Sequence, residues 1–329
     1  MSSHSRRTAA LLALPFLLAG CTAAVADSNP GGASKPSAAP ATPPVLPSTA
    51  PTVATIPTLD SANDQPLPLD GYLMTPAQLD KVQKAQQRLI TGCMARFGFT
   101  FSPPTSIPMP RDSGAPDSRT DGRYGRQNAA LSAKWGYHAE GGTPASREKP
   151  GAADALLPAQ EVAALRGTSD PNQRFGPGGQ LINSQKVPEH GCVGEVNQQF
   201  TGSVTGLVGD AQFANDVKFA TLDASQQDQR TKAVFATWSQ CMARSGYDYP
   251  DPVKAAGDQQ WFKGPLPDQH ELQVATADAA CRHENNVVGT WYAVDFAYQQ
   301  ATIAANAEKM AQVKAGLEHQ VQLATQTLG

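Results

Sequence analysis

Cys93-Met94-Ala95-Arg96-Phe97-Gly98-Phe99-Thr100-Phe101 recurs, without a gap, as Cys241-Met242-Ala243-Arg244-Ser245-Gly246-Tyr247-Asp248-Tyr249. A proline follows each copy closely, at Pro103 and Pro250. Each copy ends a stretch with helical spacing of apolar residues. Gly98 and Gly246 stand where a helix stops in a left-handed residue, a conformation glycine adopts without a Cβ penalty. The aromatic-x-aromatic that follows alternates with period two, like a short extended segment. The repeat therefore reads helix, glycine stop, extended aromatic piece, and it sets the expectation of a mainly α fold.

Working backwards, the first helix has a clear start. Thr75 can cap it, Pro76 suits the first helical position, and Gln78 completes a capping box. Leu79, Val82, Leu89, Ile90, Cys93, Met94 and Phe97 then fall on one face. The second helix is expected from near Asp223, with Gln226 three residues on. Val234, Trp238, Cys241 and Met242 would form its inner face.

Working forwards, each unit is followed by one more cysteine. These lie in His190-Gly191-Cys192-Val193-Gly194-Glu195 and in Ala279-Ala280-Cys281-Arg282-His283. Apart from Cys21, the chain thus holds four cysteines, which allow three pairings. One bridge per unit, Cys93 with Cys192 and Cys241 with Cys281, is the pairing the repeat favours. Zinc is the rival reading, because His190 and His283 lie two residues from a cysteine. The spacing lacks the usual C-x₂₋₄-C pair, so no metal is expected.

Between the units, residues 103–123 and 141–152 are rich in Gly, Pro, Ser and charge and read as loops. Short helices are expected in 124–138 and 159–165. Trp135-Gly136-Tyr137-His138 carries an aromatic cluster. A ligand surface near Tyr137, His138, Tyr247 and Tyr249, between the two units, is the functional reading of these side chains. From about Gln269 to Leu328 there is no proline. A bend is expected near Asn285, Asn286 and Gly289. Beyond it, Trp291, Val294, Tyr298, Ile303, Ala307, Met310, Val313, Leu317, Val321 and Ala324 recur at spacings approaching those of a coiled coil. A long C-terminal helix over 287–327 would reach about 60 Å if continuous. Its apolar stripe must pack on its own domain, on a partner helix or on a second copy.

The N-terminus has the features of an export signal. His4, Arg6 and Arg7 precede an apolar run over 9–19, too short to span a bilayer. Leu18-Ala19-Gly20-Cys21 resembles the lipobox of bacterial lipoprotein signal peptides. That resemblance implies cleavage after Gly20, a diacylglycerol (carrying fatty chains such as palmitate) on Cys21, and anchoring at the outer face of the cell membrane. From Thr22 to about Leu69 the chain is rich in Pro, Ala, Ser and Thr. Such composition buries too little surface to offset chain entropy, so a disordered tether is expected over 21–70, with a reach on the order of 40 Å as a coil.

The whole chain carries a formal charge of −3, and losing Arg6 and Arg7 with the signal would leave −5. With no dense Lys/Arg run, nucleic acid is not an expected partner. Catalytic motifs are weak. Ser146-Arg147-Glu148-Lys149 fits S-x-x-K but lacks the companion elements, and Gly176-Pro177-Gly178-Gly179 lacks the rest of a phosphate loop. No catalytic residue and no cofactor is assigned.

The whole arrangement resembles a group of uncharacterised lipoproteins of high-GC Gram-positive bacteria, over roughly residues 71–329. The matching features are the lipobox, the Cys-Met-x-x-x-Gly-aromatic units, Gly191-Cys192-Val193-Gly194-Glu195, and the stretch from Cys281 to Trp291 running into the terminal helix. The resemblance implies an architecture and carries no activity. The resulting division is a signal peptide (1–20), the lipidated tether (21–70), and a disulfide-stapled helical domain (71–329). That domain has units at about 72–200 and 222–285. The functional expectation is a lipid-anchored, extracytoplasmic, non-enzymatic binding or interaction module with the C-terminal helix as its contact; the alternative is an envelope enzyme or a small-ligand or cell-wall binder with a site between the units.

Overall fold

Thr75 opens the first long helix as its side chain dictates. Its hydroxyl accepts from the Gln78 N–H at 3.2 Å, and the Gln78 side chain accepts from the Thr75 N–H at 2.9 Å. Helix α1 runs Pro76–Arg96. The computed structural model describes residues 42–102, 122–142, 157–170, 172–209 and 211–329. The expected signal peptide, Cys21, the first part of the expected tether and Ser146 to Lys149 lie outside them. The later helices are α2 (Ala129–Trp135), α3 (Ala159–Arg166), α4 (Gly191–Thr201), α5 (Gln212–Gln227) and α6 (Gln229–Arg244). They continue with α7 (Pro252–Ala256), α8 (Gln269–Glu284), α9 (Val287–Ala305) and α10 (Ala307–Leu328). The strand content among the described residues is one two-residue ladder, Leu181–Ile182 against Gln185–Lys186. The fold is mainly α.

The two repeats close in the same way. Gly98 and Gly246 take φ of 81° and 88°. The Phe99 and Tyr247 amides reach back to the Met94 and Met242 carbonyls at 3.1 and 3.0 Å, a glycine-stopped helix end in both cases. Both extended aromatic pieces are then held by a hydroxyl. Thr91 donates to the Phe101 carbonyl, and Ser239, at the equivalent place, donates to the Tyr249 carbonyl. Neither piece joins a strand ladder, so the expected short strands are absent here.

Both expected disulfides are present, Cys93–Cys192 and Cys241–Cys281, each with Cα atoms 5.6 Å apart. They tie α1 to α4 and α6 to α8. The repeat extends further than its nine-residue signature. Arg96 pairs with Glu195 and Arg244 with Glu284, and each glutamate stands three residues beyond the second cysteine of its bridge.

Each repeat also organises its own core. The first gathers Val82, Met94, Phe97, Cys192, Val196 and Phe200 with Met310, Leu317 and Ala324 from α10. The second gathers Phe235, Trp238, Met242, Cys281, Val288 and Trp291, with α9 as its wall. A buried side chain of this size contributes about 1.5–3 kcal/mol, so the two clusters and their staples are the main source of stability.

Three boundaries differ from the sequence expectation. Asp223 lies inside α5, and the second repeat's helix begins instead at Asp228, whose carboxylate accepts from the Arg230 N–H. The expected break near Asn285 falls there, with Asn286 at φ 50°. A second break separates α9 from α10 at Asn306 (φ −120°, ψ 28°), so the terminal helix is two helices and not one. At the break the Asn306 side chain turns back onto the Thr302 carbonyl, and beyond it α10 packs on the first core.

The apolar stripe of α10 packs onto α1, with Met310 and Ala324 fully buried and Val313, Val321 and Leu328 against the same cluster. The tether also ends earlier than expected. From residue 43 the chain lies against the helices, and Ala62, Leu67 and Leu69 are buried.

Candidate functional site

The four side chains expected to form a ligand surface come together in the second repeat, not between the two. Tyr137 and His138 follow α2, where Gly136 turns the chain at φ 54°. A Cβ at Gly136 would collide with Glu271 of α8. That close approach sends both side chains inward. The Tyr137 hydroxyl donates to Asp278 at 3.2 Å, and its ring stacks on Trp261 at 5.6 Å. His138 is 2 % exposed, with Nδ1 2.8 Å from Glu271 and Nε2 3.0 Å from the Gly264 carbonyl. His138 is therefore an interior group, while Tyr137 is half-buried with its hydroxyl already engaged by Asp278.

Asp278 is the hub beneath them. It accepts from Trp238 Nε1 at 2.9 Å and from Arg282 Nε at 2.7 Å. Arg282, 2 % exposed, places its remaining nitrogens on the Tyr124 and Pro252 carbonyls. Burial pushes the Asp278 carboxyl above its ordinary range, and Arg282 pulls against it. Burial and Asp278 raise the Tyr137 hydroxyl well above the usual phenol value. A second buried network joins Arg123, Tyr124 and Gln299 to Asp295. Every charge in both networks is paired and hydrogen-bonded, as burial requires. These networks hold the scaffold and present no reactive group to solvent.

The outward end of the cluster is different. Trp261 meets His270 at 5.8 Å, and His270 meets Tyr247 at 6.4 Å. Beside them runs an open groove of about 530 Å³, lined by Ser245, Tyr247, Leu272, Thr276 and the amides Gln269 and Gln273. Neither amide has a protein partner among the described residues, so both are available to a ligand. Tyr249 stands at the rear. Its hydroxyl bonds Asp258 at 3.1 Å and is pushed up to about 12 by burial and that carboxylate.

A larger cleft of about 630 Å³ lies between α4, the 202–211 loop and α10. Its polar groups are partly engaged already. Gln320 accepts from the Gly209 N–H, and His319 bonds the Gln199 carbonyl. Its exposed ring is the His319 imidazole, which already bonds the Gln199 carbonyl.

Sequence reasoning identified Tyr247 and missed Trp261, His270, Gln269 and Gln273. A signal existed, since the lone Trp261-Phe262 pair interrupts a Gly/Pro-rich stretch just before the Asp268 helix cap. The four described cysteines are bonded in two pairs, and among the described residues no cluster of three or more His, Cys, Asp or Glu is placed to hold a metal. No described helix is long and apolar enough to cross a membrane. Compared with protein-family models, curated proteins and solved structures, the chain matches none of them.

Proposed function

We propose that this chain is a lipid-anchored, extracytoplasmic binding protein, and that the groove beside Tyr247 and His270 is its contact face, taking an extended, hydroxyl- and amide-bearing polymer of the cell wall. The observation that carries the reading is the juxtaposition of the half-buried Tyr247 ring and the exposed His270 ring with unpartnered glutamines on a helix pair stapled by Cys241–Cys281. Aromatic rings give a flat contact area with few rotatable bonds to fix, and amides give adaptable hydrogen bonds. The groove is a trough along α8 and not an enclosed chamber, so it suits a chain better than a small cofactor. Two disulfides accord with an oxidising compartment, and the Leu18-Ala19-Gly20-Cys21 pattern supports the anchor. The stripe of α10 no longer supports a partner helix there, since α1 covers it.

The test is co-sedimentation of the mature chain with isolated cell wall. Tyr247→Ala and Gln273→Ala should each lower the bound fraction by about tenfold, the size of a contact hot spot. Retention equal to that of the parent in both variants would remove the groove from consideration.

A further inference from the structure

The described chain begins with a strap that the helical domain grips at both ends. At one end the Asn306 side chain takes the Val45 N–H at 3.0 Å and gives its own N–H to the Val45 carbonyl at 2.9 Å. At the other, Asn286 gives an N–H to the Pro57 carbonyl at 2.9 Å and accepts from the Leu59 N–H at 3.3 Å. Between them Arg230, itself held by Asp228, donates to the Pro51 carbonyl at 2.9 Å. Tyr298 bonds the same aspartate from α9.

Asn286 and Asn306 flank α9, so they are about 30 Å apart along its axis. Twelve residues in a polyproline conformation reach about 37 Å. The strap must therefore be almost fully extended, and it runs opposite to α9. Over residues 43–57 the half-buried positions are Pro44, Pro47, Pro51, Val53 and Pro57. Val45 and Ile56, the larger apolar residues, face solvent at 59 % and 49 % exposure. The domain thus takes prolines, backbone groups and Val53, and leaves Val45, Leu46 and Ile56 to solvent. Gly289 completes the fit, since a Cβ there would strike the Pro57 carbonyl.

We propose that the α9 face between Asn286 and Asn306 is a binding site for an extended, proline-spaced polypeptide. Residues 43–57 occupy it in cis, and a proline-rich segment of another protein takes their place when the strap is drawn away. The recognition follows from chemistry. Proline-rich chains carry no internal hydrogen bonds, so their carbonyls are open to side-chain amides and a guanidinium, and little order is lost on binding. The cis strap acts at millimolar effective concentration, which keeps the site closed to weak competitors. This reading stands apart from the Tyr247 groove.

The experiment uses the full mature chain with the five groove-facing strap positions changed together (P44S, P47S, P51S, V53S and P57S), which empties the site at constant length. A fluorescent peptide of residues 43–59 is the probe. It should saturate this variant and bind wild type at least about tenfold more weakly. Adding Asn306→Ala to the variant should weaken the peptide by about tenfold, the loss of a two-point amide contact. Leu46→Ala and Ile56→Ala in the peptide should change nothing. Absence of saturable binding to a variant with both disulfides intact and wild-type circular dichroism would overturn the proposal, as would equal binding to wild type. Concentration-dependent self-association of wild type through its strap would assign the site to a second copy and overturn it too. Should the variant not fold, excess unlabelled peptide on wild type must speed hydrogen exchange at Val45 and Leu59; unchanged exchange at saturation overturns the proposal.

Discussion

Nδ1 of His138 and a carboxylate oxygen of Glu271 stand 2.8 Å apart, and both groups are shut away from water. The other ring nitrogen faces the Gly264 carbonyl, which can only accept, so Nε2 carries a proton. The same Glu271 oxygen also accepts from the Tyr137 N–H at 2.7 Å. The pair ties three segments together: the turn after α2, the loop before α8, and α8 itself.

Stability should depend on pH through this pair. Burial alone would push His138 down, but Glu271 and the Gly264 carbonyl outweigh it and hold the imidazole above its ordinary value. A raised folded-state pKa gives stability that is complete below the unfolded value of about 6.5 and is lost as pH rises through the folded value. Thermal melts of wild type should show a decline beginning above about pH 6.5 that His138→Ala lacks. At pH 6 that variant should be less stable by about 3 kcal/mol, because it leaves Glu271 buried without its partner. Parallel pH curves for the two chains would refute the pair's role.

Removing either disulfide should lower stability by about 4 to 5 kcal/mol in the chain-entropy account, and by less in practice. The loops close over separations of 99 and 40 residues, which differ little on a logarithmic scale. Cys93→Ser with Cys192→Ser, and Cys241→Ser with Cys281→Ser, should therefore cost comparable amounts in urea unfolding. Non-reducing peptide maps of wild type should show these two pairs and no other.

Ion pairs of similar length should differ sharply in worth. Arg96–Glu195 and Arg244–Glu284 lie at the surface, so Arg96→Ala and Arg244→Ala should each change stability by under about 1 kcal/mol. Arg282→Ala should cost about 3 to 5 kcal/mol, since it strands Asp278 and two carbonyls in the interior. A cost for Arg244→Ala as large as that for Arg282→Ala would contradict the burial argument.

Gly289→Ala should expel the strap without breaking α9. The added methyl meets the Pro57 carbonyl and the Asn286 side chain, while alanine favours the helix. Limited proteolysis should then cut within residues 45–57 well before any helix, and wild type should resist at the same site.

Cys21→Ser should release the protein from the membrane into the medium. A single acyl chain anchors only marginally and two anchor firmly, so the proposed anchor predicts that a chain without the thiol for a diacylglycerol loses its hold. Membrane retention of the variant with no acyl mass would defeat the lipid anchor.

The repeat shows how far local rules carry. Thr75 with Gln78, Gly98 and Gly246, and the four cysteines were legible because caps, left-handed turns and bridges depend on residues near in sequence or on a pairing that repetition makes plain. The Asn306 break was not legible, because no glycine or proline marks it; Asn306 there turns its side chain onto the Thr302 carbonyl and onto Val45, a residue 261 positions away. Tyr137 and His138 read equally well as surface or interior. Their direction follows from Gly136 meeting Glu271, 135 positions later. The strap had no apolar periodicity to betray it, since it is held by its carbonyls and its prolines. Sequence alone thus determined the mainly α class, the start of the first helix, where each helix of the repeat stops and the favoured cysteine pairs, because those are short-range choices or follow from the repeat, whereas the helices over 191–201 and 212–227 went unread. Only the tertiary structure decided which charges are buried, which face of α10 is covered and where the tether ends, because desolvation depends on what the rest of the chain places alongside.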